Sequence, residues 1–322
     1  MSARLHQLLS PAMRAPVDAL QVEITGLALD SRKVRQGDLF AALPGVKTDG
    51  RKFIDAAVSN GAVAVLAPPG TPARVPVIEA EDVPGALAGL AAAFHPRQPA
   101  TIAAVTGTNG KSSTVEFLRQ IWASAGLEAA ALGTLGVTRS SGRTDVGYTT
   151  PDAIALHHSL DALAGEGVTH LAMEASSHGL KQKRMDAVTV TAAAFTNLTQ
   201  DHLDYHPDFE DYFNAKLGLF SRVAGEGAPA VINMDSDWSA KMADGARAAG
   251  HEVITIGWRG RDLSITEIIP HPTSQTLRVS WRGAAFEVDL PLIGEFQTSN
   301  ALTAAALAVL TGVEPAQAFA AL

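Results

Sequence analysis

The order of apolar and polar positions along the chain predicts alternating strands and helices. In the first part, helices are predicted over residues 51–60 and 82–94, and strands over residues 22–29, 38–43, 62–66 and 75–78. From residue 101 onward, short apolar runs separated by helical patterns follow the rhythm of a mostly parallel sheet. These candidate strands cover residues 101–105, 128–132, 168–173, 188–195, 229–233 and 252–256.

This rhythm changes near the C-terminal end of the chain. Residues 275–281 and 285–290 alternate apolar and polar side chains around Arg282-Gly283, which predicts an antiparallel hairpin. An alanine-rich helix is predicted over residues 301–310. Because two prolines within residues 95–99 interrupt both periodicities, we interpret that segment as a linker. The predicted fold class is α/β, with domains over residues 1–98 and 99–322.

Composition narrows the class of protein. With 47% hydrophobic and 18% charged residues among 322, the chain can bury a large core. Its net charge of −8 argues against a general binder of nucleic acid or of anionic membranes. The absence of cysteine excludes disulfides, thiolate chemistry and cysteine-bound metals. No apolar run has the length of a membrane span or the form of a signal peptide, so we expect a cytoplasmic protein. We also expect a monomer.

Candidate chemistry begins at residues 106–112, T-G-T-N-G-K-S, between a predicted strand and a predicted helix. A glycine-rich turn at this point aims backbone N–H groups and the helix N-terminus at one place, which favours anion binding. Lys111 and the Ser112 hydroxyl make the site suitable for phosphate and magnesium. Val105 stands where the general phosphate-loop pattern has glycine, so the segment matches a variant of that loop. We predict that it binds a nucleoside triphosphate.

Further polar side chains follow other predicted strands. Glu174 comes after an apolar strand, and a carboxylate at the end of a parallel strand near a phosphate loop is placed to hold magnesium. Residues 195–206 are rich in acids and imidazoles, which without cysteine suit a harder ion than zinc. Lys216 stands on an otherwise apolar helix, where a lysine ordinarily extends its amine to water.

Several polar segments permit either a structural or a binding interpretation. Thr150 and Pro151 are either the N-cap and first residue of a helix, or Thr149 and Thr150 form a second anion site with their hydroxyls. The polar turns at residues 30–32, 37–40 and 49–50 are turn formers when taken alone, although open α/β sheets bind ligands at such places. Arg184 either ends a solvated helix or holds a carboxylate or phosphate.

Together these segments resemble the Mur ligases, and within that family the ligases that add the third residue of the peptidoglycan stem peptide. The resemblance covers essentially the whole chain and rests on DSRKVRQGDLF, GTNGKSS, YTTPD, MEASSHGLKQKR, FTNLTQDHLDYH, YFNAKLGLF, VINMD and LIGEF. The related ligases that add D-Ala-D-Ala share the N-terminal unit and the phosphate loop but are not similar at TTPD and DHLDYH. Folylpolyglutamate synthetases share the loop but lack a front domain of this kind.

The resemblance implies a small UDP-substrate-binding domain followed by an ATPase-like central domain with a phosphate loop. It implies a ligase of peptidoglycan biosynthesis that uses ATP and Mg²⁺ to activate the terminal carboxylate of UDP-MurNAc-L-Ala-D-Glu. An acyl phosphate forms, and the amine of a diamino acid, meso-diaminopimelate or L-lysine, attacks it. Nothing in these residues decides between the two amino acids. No nucleic acid or membrane partner is implied.

The resemblance also implies site residues. The ATP site comprises Gly107, Thr108, Asn109, Gly110, Lys111, Ser112, Ser113 and Asn300. The catalytic residues are Lys111, Glu174, His202 and Lys216. One magnesium is assigned to Ser112 and Glu174, and a second to His202 and Lys216. The UDP-substrate contacts are Leu29, Ser31, Val46, Lys47, Thr48, Tyr148, Thr149, Thr150, Ser176, Gln182 and Arg184. The family lysine that corresponds to Lys216 is carbamylated, so N6-carboxylysine is expected there.

Two departures from the family pattern leave hypotheses open. The family usually has Phe-Asn before the late helix, whereas this chain has Phe296-Gln297, so Asn300 is the expected nucleotide contact. The chain stops at Leu322, so we expect the C-terminal amino-acid-binding domain of the family to be absent. The chain is then either the activating part of a ligase whose full form is the enzyme, or a module that binds ATP and the UDP-substrate without catalysis, and we expect this chain alone to be inactive. An unrelated phosphate-loop kinase is disfavoured by the front domain and by TTPD and DHLDYH.

Overall fold

A computed structural model of the protein describes residues 2–45, 48–144, 149–199 and 205–322. The chain divides into two compact units. The first comprises Met1–Gln98, Asp152–Ala162 and Gln182–Val188, and the second comprises Pro99–Pro151, Leu163–Lys181 and Thr189–Leu322. The sequence interpretation placed the two inserted segments in the second domain, but side chains such as Ile154 and Ala187 pack in the first unit's core. A periodic pattern of apolar residues predicts a helix but does not indicate in which hydrophobic core that helix packs.

The strands of the first unit are β1 (Ala3–Arg4), β2 (Glu23–Ile24), β3 (Gly26–Ala28), β4 (Asp38–Ala41), β5 (Ala64–Ala67) and β6 (Val77–Glu79). The last four form a parallel sheet in the order β3-β4-β5-β6. The first three α-helices of the unit are α1 (Leu5–Leu8), α2 (Ile54–Ser59) and α3 (Val83–Phe94). Short 3₁₀ turns cover Val17–Ala19, Ser31–Lys33 and Gly50–Phe53. The single strand predicted over residues 22–29 is divided, because β2 pairs with β1 whereas β3 pairs with β4.

Alternate residues of β4 enter two hydrophobic clusters on opposite faces of this sheet. Leu39 and Ala41 pack in the cluster that contains α3. Phe40, and Ala42 directly after the strand, pack in the cluster that contains Ile54 of α2. Side chains of a strand alternate between faces, so a strand buried on both sides is a continuous apolar run. This is the pattern that identified β4 and β5 in the sequence.

The second unit contains a larger mixed sheet. Its strands are β7 (Thr101–Thr106), β8 (Ala129–Gly133), β9 (Gly136–Arg139), β10 (Gly142–Thr144), β11 (His170–Glu174), β12 (Ala192–Phe195), β13 (Ala230–Asn233), β14 (Val253–Gly257), β15 (Leu263–Pro270), β16 (Gln275–Trp281) and β17 (Ala284–Leu290). Within the described residues their order is β10-β9-β8-β11-β7-β12-β13-β14-β15-β16-β17. Its central strands are parallel, which confirms the predicted α/β class.

Seven further α-helices lie in the described ranges. They are α4 (Lys111–Ser124), α5 (Ala153–Gly165, which belongs to the first unit as far as Ala162), α6 (Ser177–Lys181), α7 (Phe209–Gly218), α8 (Ser239–Ala248), α9 (Glu295–Leu310) and α10 (Pro315–Ala320). A π-helical turn over Leu219–Val223 follows α7. Helix α9 begins six residues before its predicted start, because its first turns are polar and conceal the period. Every helix in the described ranges is too short or too polar to cross a lipid bilayer.

The predicted late hairpin is confirmed as β16 and β17, which are antiparallel. Its two turn residues, Arg282 and Gly283, both have positive φ, at 46° and 91°. A two-residue turn of this kind matches the right-handed twist of the strands. The sequence interpretation missed β15, which pairs in parallel with β14 and antiparallel with β16 and so joins the hairpin to the sheet.

Candidate active site

The phosphate loop lies between β7 and α4, at the middle of the large sheet. Gly110 has a φ of 86°, in the left-handed region that favours glycine. A Cβ at Gly107 would lie 1.9 Å from Thr196 Oγ1, and a Cβ at Gly110 would lie 2.1 Å from Asn300 Oδ1. Glycine is therefore required at both positions. The loop leads into the first turn of α4, where N–H groups have no acceptor within the helix and can bind an anion.

The end of β12 holds this loop in place. The Asn197 carbonyl accepts a hydrogen bond from Thr108 N at 2.9 Å, and Asn197 Oδ1 accepts one from Asn109 N at 3.0 Å. Thr196 Oγ1 donates to the Asn109 carbonyl at 2.7 Å. The sequence analysis identified residues 195–206 as a candidate ion-binding segment but gave no role to Thr196 or Asn197. Their role depends on the pairing of β12 with β7, which no local pattern specifies.

Two lysines meet at the Gly107 carbonyl. Lys111 Nζ donates to Gly107 O at 3.0 Å and to Thr108 O at 2.8 Å. Lys216 Nζ, from α7, donates to Gly107 O at 2.7 Å and lies 4.3 Å from the centre of the Tyr212 ring. Lys216 is 1% exposed, so it does not follow the usual tendency of lysine to reach water. The side-chain nitrogens of Lys111 and Lys216 thus share one carbonyl oxygen of the loop, and the charge of Lys111 at this place favours a polyanionic ligand.

Glu174 lies at the carboxyl end of β11, directly beside β7, and is 1% exposed. One oxygen, Oε1, accepts hydrogen bonds from Ser112 Oγ and from Thr134 N, each at 2.8 Å. The other, Oε2, accepts a hydrogen bond from Thr134 Oγ1 at 3.1 Å. The structure thus brings together the two residues predicted for one magnesium, Ser112 and Glu174. Thr134, which follows β8, was not predicted.

The oxygen donors at this point fit magnesium. A Cβ at Gly133 would lie 2.0 Å from Glu174 Oε1, so glycine leaves the space that the carboxylate needs. In the parts of the chain that the structure describes, no group of three or more His, Asp or Glu side chains converges as a metal cage. Magnesium commonly takes one or two carboxylates together with waters and substrate phosphates. Ser112 and Glu174 therefore suit magnesium bound together with a phosphate ligand.

The hydroxyl of Thr150 is part of the same network. Thr150 Oγ1 donates to the Glu174 carbonyl at 3.1 Å and accepts hydrogen bonds from Ser176 Oγ at 2.9 Å and from Ser176 N at 3.2 Å. The Thr149 and Thr134 hydroxyls are 2.9 Å apart. Three residues predicted for the substrate, Thr149, Thr150 and Ser176, thus lie beside the residues predicted for magnesium.

Thr150 is not the N-cap of α5, so the structural interpretation of that segment was wrong. The helix begins at Ala153, and Asp152 Oδ1 accepts a hydrogen bond from Ala155 N at 3.0 Å. Asp152 therefore supplies the capping oxygen, because an oxygen one residue before a helix reaches the N–H groups of its first turn.

A buried histidine connects α6 with α7. His206 Nδ1 lies 2.6 Å from Asp211 Oδ2, and His206 Nε2 lies 3.0 Å from Ser177 Oγ. Burial lowers the pKa of His206, although the Asp211 carboxylate opposes that shift. Lys181 lies 2.6 Å from Asp211, and its hydrogen bond lowers the pKa of that carboxyl group. This series of side-chain contacts, from Lys181 through Asp211 and His206 to Ser177, holds the start of α7 in place. Helix α7 is the helix that carries Lys216.

The remaining predicted substrate residues belong to the first unit or are outside the described residues. Ser31 is buried at the start of a 3₁₀ turn, and its carbonyl accepts a hydrogen bond from Asn60 Nδ2 at 2.9 Å. Arg184 donates to Gln182 Oε1, at 2.7 Å from one guanidinium nitrogen. Among the described hydrogen bonds, none joins Leu29 or Thr48 to the Ser31–Asn60 pair or to the Gln182–Arg184 pair. The predicted residues outside the described ranges are Val46, Lys47, Tyr148 and His202.

Comparison with known families gives two matches along the chain. Residues 105–308 match the Mur ligase middle domain, and residues 23–95 match the Mur ligase family catalytic domain. The first match covers the phosphate loop, Glu174, Lys216 and Asn300. It therefore includes the described residues that meet at the end of β7.

Named relatives agree with these matches. The chain is 52% identical over 309 residues to the UDP-N-acetylmuramoyl-L-alanyl-D-glutamate–2,6-diaminopimelate ligase of Bradyrhizobium diazoefficiens, covering 94% of this chain and 63% of that protein. It is 46% identical to the protein of the same name from Caulobacter vibrioides, covering 100% of this chain and 67% of the relative. The chain thus spans somewhat less than two thirds of the first relative's length.

A solved structure of a ligase with that name superimposes with a TM-score of 0.88 at 28% identity, covering 99% of this chain and 66% of the other. The MurF ligase of Thermotoga maritima, solved in complex with ADP, matches with a TM-score of 0.59 at 20% identity and covers 92% of this chain and 65% of the other. This second likeness concerns the fold alone. The match to the Mur ligase middle domain covers more than half of this chain, and the chain therefore belongs to the Mur ligase family.

Proposed function

We propose that this chain forms the nucleotide- and substrate-binding part of an ATP-dependent ligase that joins 2,6-diaminopimelate to UDP-MurNAc-L-Ala-D-Glu in the cytoplasm. The observation that carries the proposal is the meeting of Lys111, Ser112 and Glu174 at the end of β7. The relatives that share this segment at about half identity are named for that reaction. The chain spans 63% of the length of the first relative, so the complete ligation reaction is itself proposed here.

The chain's own residues supply binding and charge in this proposal. Gly107–Ser113 and Asn300 would hold ATP, and Ser112 with Glu174 would hold Mg²⁺. When bound, ATP supplies the phosphoryl group that activates a carboxylate, and Mg²⁺ offsets the negative charge of the phosphates. Lys111 is fixed at the loop by two carbonyl oxygens, and the Glu174 carboxylate by hydrogen bonds from Ser112 and Thr134. Such groups need little reorganisation when charge develops, which favours catalysis by positioning.

Lys216 is proposed to act as N6-carboxylysine. Its side chain is buried against the phosphate loop, where an ammonium group loses hydration and adds to the charge of Lys111. A carbamate at the same nitrogen replaces that cation with an anion whose oxygens can ligate magnesium. His202 is proposed as its partner. Mass spectrometry of the intact protein, or ¹³C NMR after labelling with bicarbonate, tests for the carbamate.

Two groups of residues are proposed to contact the UDP-substrate. Leu29, Ser31 and residues 46–48 would bind the uridine end. Thr149, Thr150, Ser176 and Tyr148, together with Gln182 and Arg184, would bind the pyrophosphate, sugar and peptide. The hydroxyls of Thr150 and Ser176 are connected to the Glu174 carbonyl, so substrate contacts and the proposed magnesium ligand share one network.

One set of assays tests the function. Binding of MgATP and of UDP-MurNAc-L-Ala-D-Glu is measured by calorimetry, and phosphate release and tripeptide formation are followed with and without diaminopimelate. We expect both ligands to bind and any tripeptide that forms to require all three substrates. If MgATP and the UDP-substrate both bind but no tripeptide forms, the chain is a binding module. Phosphate release that ignores the UDP-substrate identifies an unrelated NTPase and contradicts the proposal.

A further inference from the structure

Lys183 has a backbone conformation that lysine disfavours. Its φ is 55°, in the left-handed region where a Cβ crowds the backbone. Among the residues that the structure describes, Arg282 is the other non-glycine residue with a positive φ, and the hairpin turn there requires it. Lys183 instead follows helix α6 and stands between Gln182 and Arg184, two residues proposed to contact the UDP-substrate. Disfavoured conformations of this kind gather at binding and catalytic sites.

The left-handed residue turns the chain after α6. Helices often end with a residue of this conformation just beyond their last turn, and that residue is usually glycine. Leu180 before the turn and Met185 after it are fully buried, and the Lys183 carbonyl accepts a hydrogen bond from Asp186 N at 3.3 Å. The path of the chain through Lys183 is therefore fixed on both sides. Because glycine would follow this path without strain, the presence of lysine here needs a reason in its side chain.

The side chain of Lys183 is bound to the start of α3. Its Nζ donates to Asp82 Oδ2 at 2.6 Å, and Asp82 Oδ1 accepts a hydrogen bond from Gly85 N at 3.3 Å, which caps that helix. A Cβ at Gly85 would lie 2.4 Å from Asp82 Oδ2, so glycine there leaves room for the carboxylate. Both side chains of the ion pair are partly exposed, and such a pair contributes little stability by itself. Its effect is to fix the position of the turn against α3.

The turn brings Gln182 and Arg184 together. Arg184 Nε and Nη2 both donate to Gln182 Oε1, at 3.1 Å and 2.7 Å. Side chains two positions apart do not face each other on a right-handed helix, so this contact would be lost if α6 continued through Lys183. An amide oxygen has no formal charge, so the contact leaves the guanidinium cationic. The guanidinium and the amide thus form one polar group whose N–H donors match the oxygens of a phosphate or a carboxylate.

From these observations we infer that Lys183 is a positioning residue for the UDP-substrate. Its left-handed backbone sets the Gln182–Arg184 pair, and its ion pair with Asp82 keeps the turn in one place before the ligand binds. The pair binds an anionic oxygen group of the substrate, either its pyrophosphate or a carboxylate of its peptide. This role of Lys183 rests on the proposed function, which assigns Gln182 and Arg184 to the UDP-substrate. Lys183 acts through these two side chains and does not itself contact the ligand.

Three substitutions at Lys183 separate the effect of the backbone from that of the charge. Valine is β-branched and strongly disfavours positive φ, whereas glycine and asparagine tolerate it and remove only the ammonium group. Calorimetry measures the binding of UDP-MurNAc-L-Ala-D-Glu, of UDP and of MgATP to each variant. We expect Lys183→Val to bind the UDP-substrate about tenfold more weakly, the usual scale of one hydrogen bond to a charged group, with unchanged MgATP affinity. Lys183→Gly and Lys183→Asn should lose about threefold or less.

Two further variants test the ion pair. Asp82→Ser removes the carboxylate but keeps an oxygen that caps α3, so it should bind the UDP-substrate like Lys183→Asn. Lys241→Val is the matched control, because Lys241 lies within helix α8 and also forms a 2.6 Å ion pair, with Glu210. It should bind all three ligands like the wild type. In Lys183→Val, an equal loss of UDP affinity assigns the Gln182–Arg184 pair to the phosphates, and a loss confined to the dipeptide substrate assigns it to a carboxylate.

Several results would overturn the role of Lys183. Unchanged affinity of Lys183→Val for the UDP-substrate is one, and an equal loss of MgATP affinity, which indicates a general disturbance, is another. A tenfold loss in Lys183→Gly also overturns it, even where Lys183→Val does not fold. A wild type that binds neither UDP-ligand contradicts the proposed function, whereas a wild type and variants that bind them equally contradict the role of Lys183 alone.

Discussion

His157 offers a quantitative test of the first unit's core. It lies on α5, is 2% exposed, and its Nε2 has no hydrogen-bond partner among the described residues. Burial lowers its pKa from 6.5 to about 4, with a smaller contribution from nearby His95. The folded protein therefore keeps this imidazole neutral at a pH where the unfolded chain has already taken up a proton.

The sign and size of the effect follow from linkage. Between pH 6.5 and pH 4 the unfolded state binds more protons than the folded state, so the free energy of unfolding falls as the pH falls. A pKa displaced from 6.5 to about 4 corresponds to a total loss of about 3 kcal/mol. At pH 5 the loss has reached about 2 kcal/mol, and at pH 8 it is negligible.

The perturbation that isolates this effect is His157→Leu, which removes the proton site and leaves an apolar side chain in an apolar place. Urea unfolding of the wild type and the variant is measured at pH 8, 7, 6 and 5. We expect the stability of the variant relative to the wild type to increase by about 2 kcal/mol between pH 8 and pH 5. The variant also removes an unsatisfied buried nitrogen, which by itself favours the folded state.

Ala155→Leu is the matched control, because Ala155 lies on the same helix, is exposed and has no titratable side chain. This variant should change stability by a similar amount at every pH. If the wild type and His157→Leu lose stability in parallel as the pH falls, the reasoning about burial and protonation is refuted.

Three further predictions concern the loop. Glu174→Gln removes one negative charge, so half-saturation of ATP binding should need roughly tenfold more Mg²⁺, measured by calorimetry over a magnesium series. Glu116→Gln, on the helix α4 that carries Ser112, should not change this requirement. Lys216→Ala should abolish ATP-dependent phosphate release, and added formate or acetate should partly restore it; undiminished activity would contradict the carbamate. Tyr212→Phe removes the 3.1 Å contact between the Tyr212 and Thr108 hydroxyls, and about fivefold weaker ATP binding is expected, for a loss of about 1 kcal/mol.

The buried strands were predictable because burial on both faces is visible in local composition. β7 and β11 were placed within two residues of their observed bounds, since each is an apolar run that ends at a turn or a polar residue. The phosphate loop was predictable for a related reason. Its conformation requires Gly107 and Gly110 at fixed spacing, and the spacing is present in the sequence.

Other features depend on contacts between distant residues and left no local signal. Thr134 contacts Glu174 only because β8 and β11 are neighbours in the sheet. The assignment of Gln182–Val188 to the first unit has the same origin. The exposure of Trp258 is likewise invisible in a sequence where an aromatic residue after an apolar strand is ordinarily buried.

The strand order explains why the predicted chemistry converges. The chain proceeds from β7 to β8 on one side, inserts β11 between them, and then places β12 on the opposite side of β7. Successive crossovers therefore leave β7 in different directions, and a crevice opens at the carboxyl ends of strands where the order reverses. Glu174 at the end of β11 and Asn197 just beyond β12 approach the loop from its two sides because of this reversal. If β11 were placed at an edge of the sheet, Ser112 would lose the carboxylate that accepts its hydrogen bond. The motifs specify the chemical groups, and the strand order determines which of them can act on one ligand.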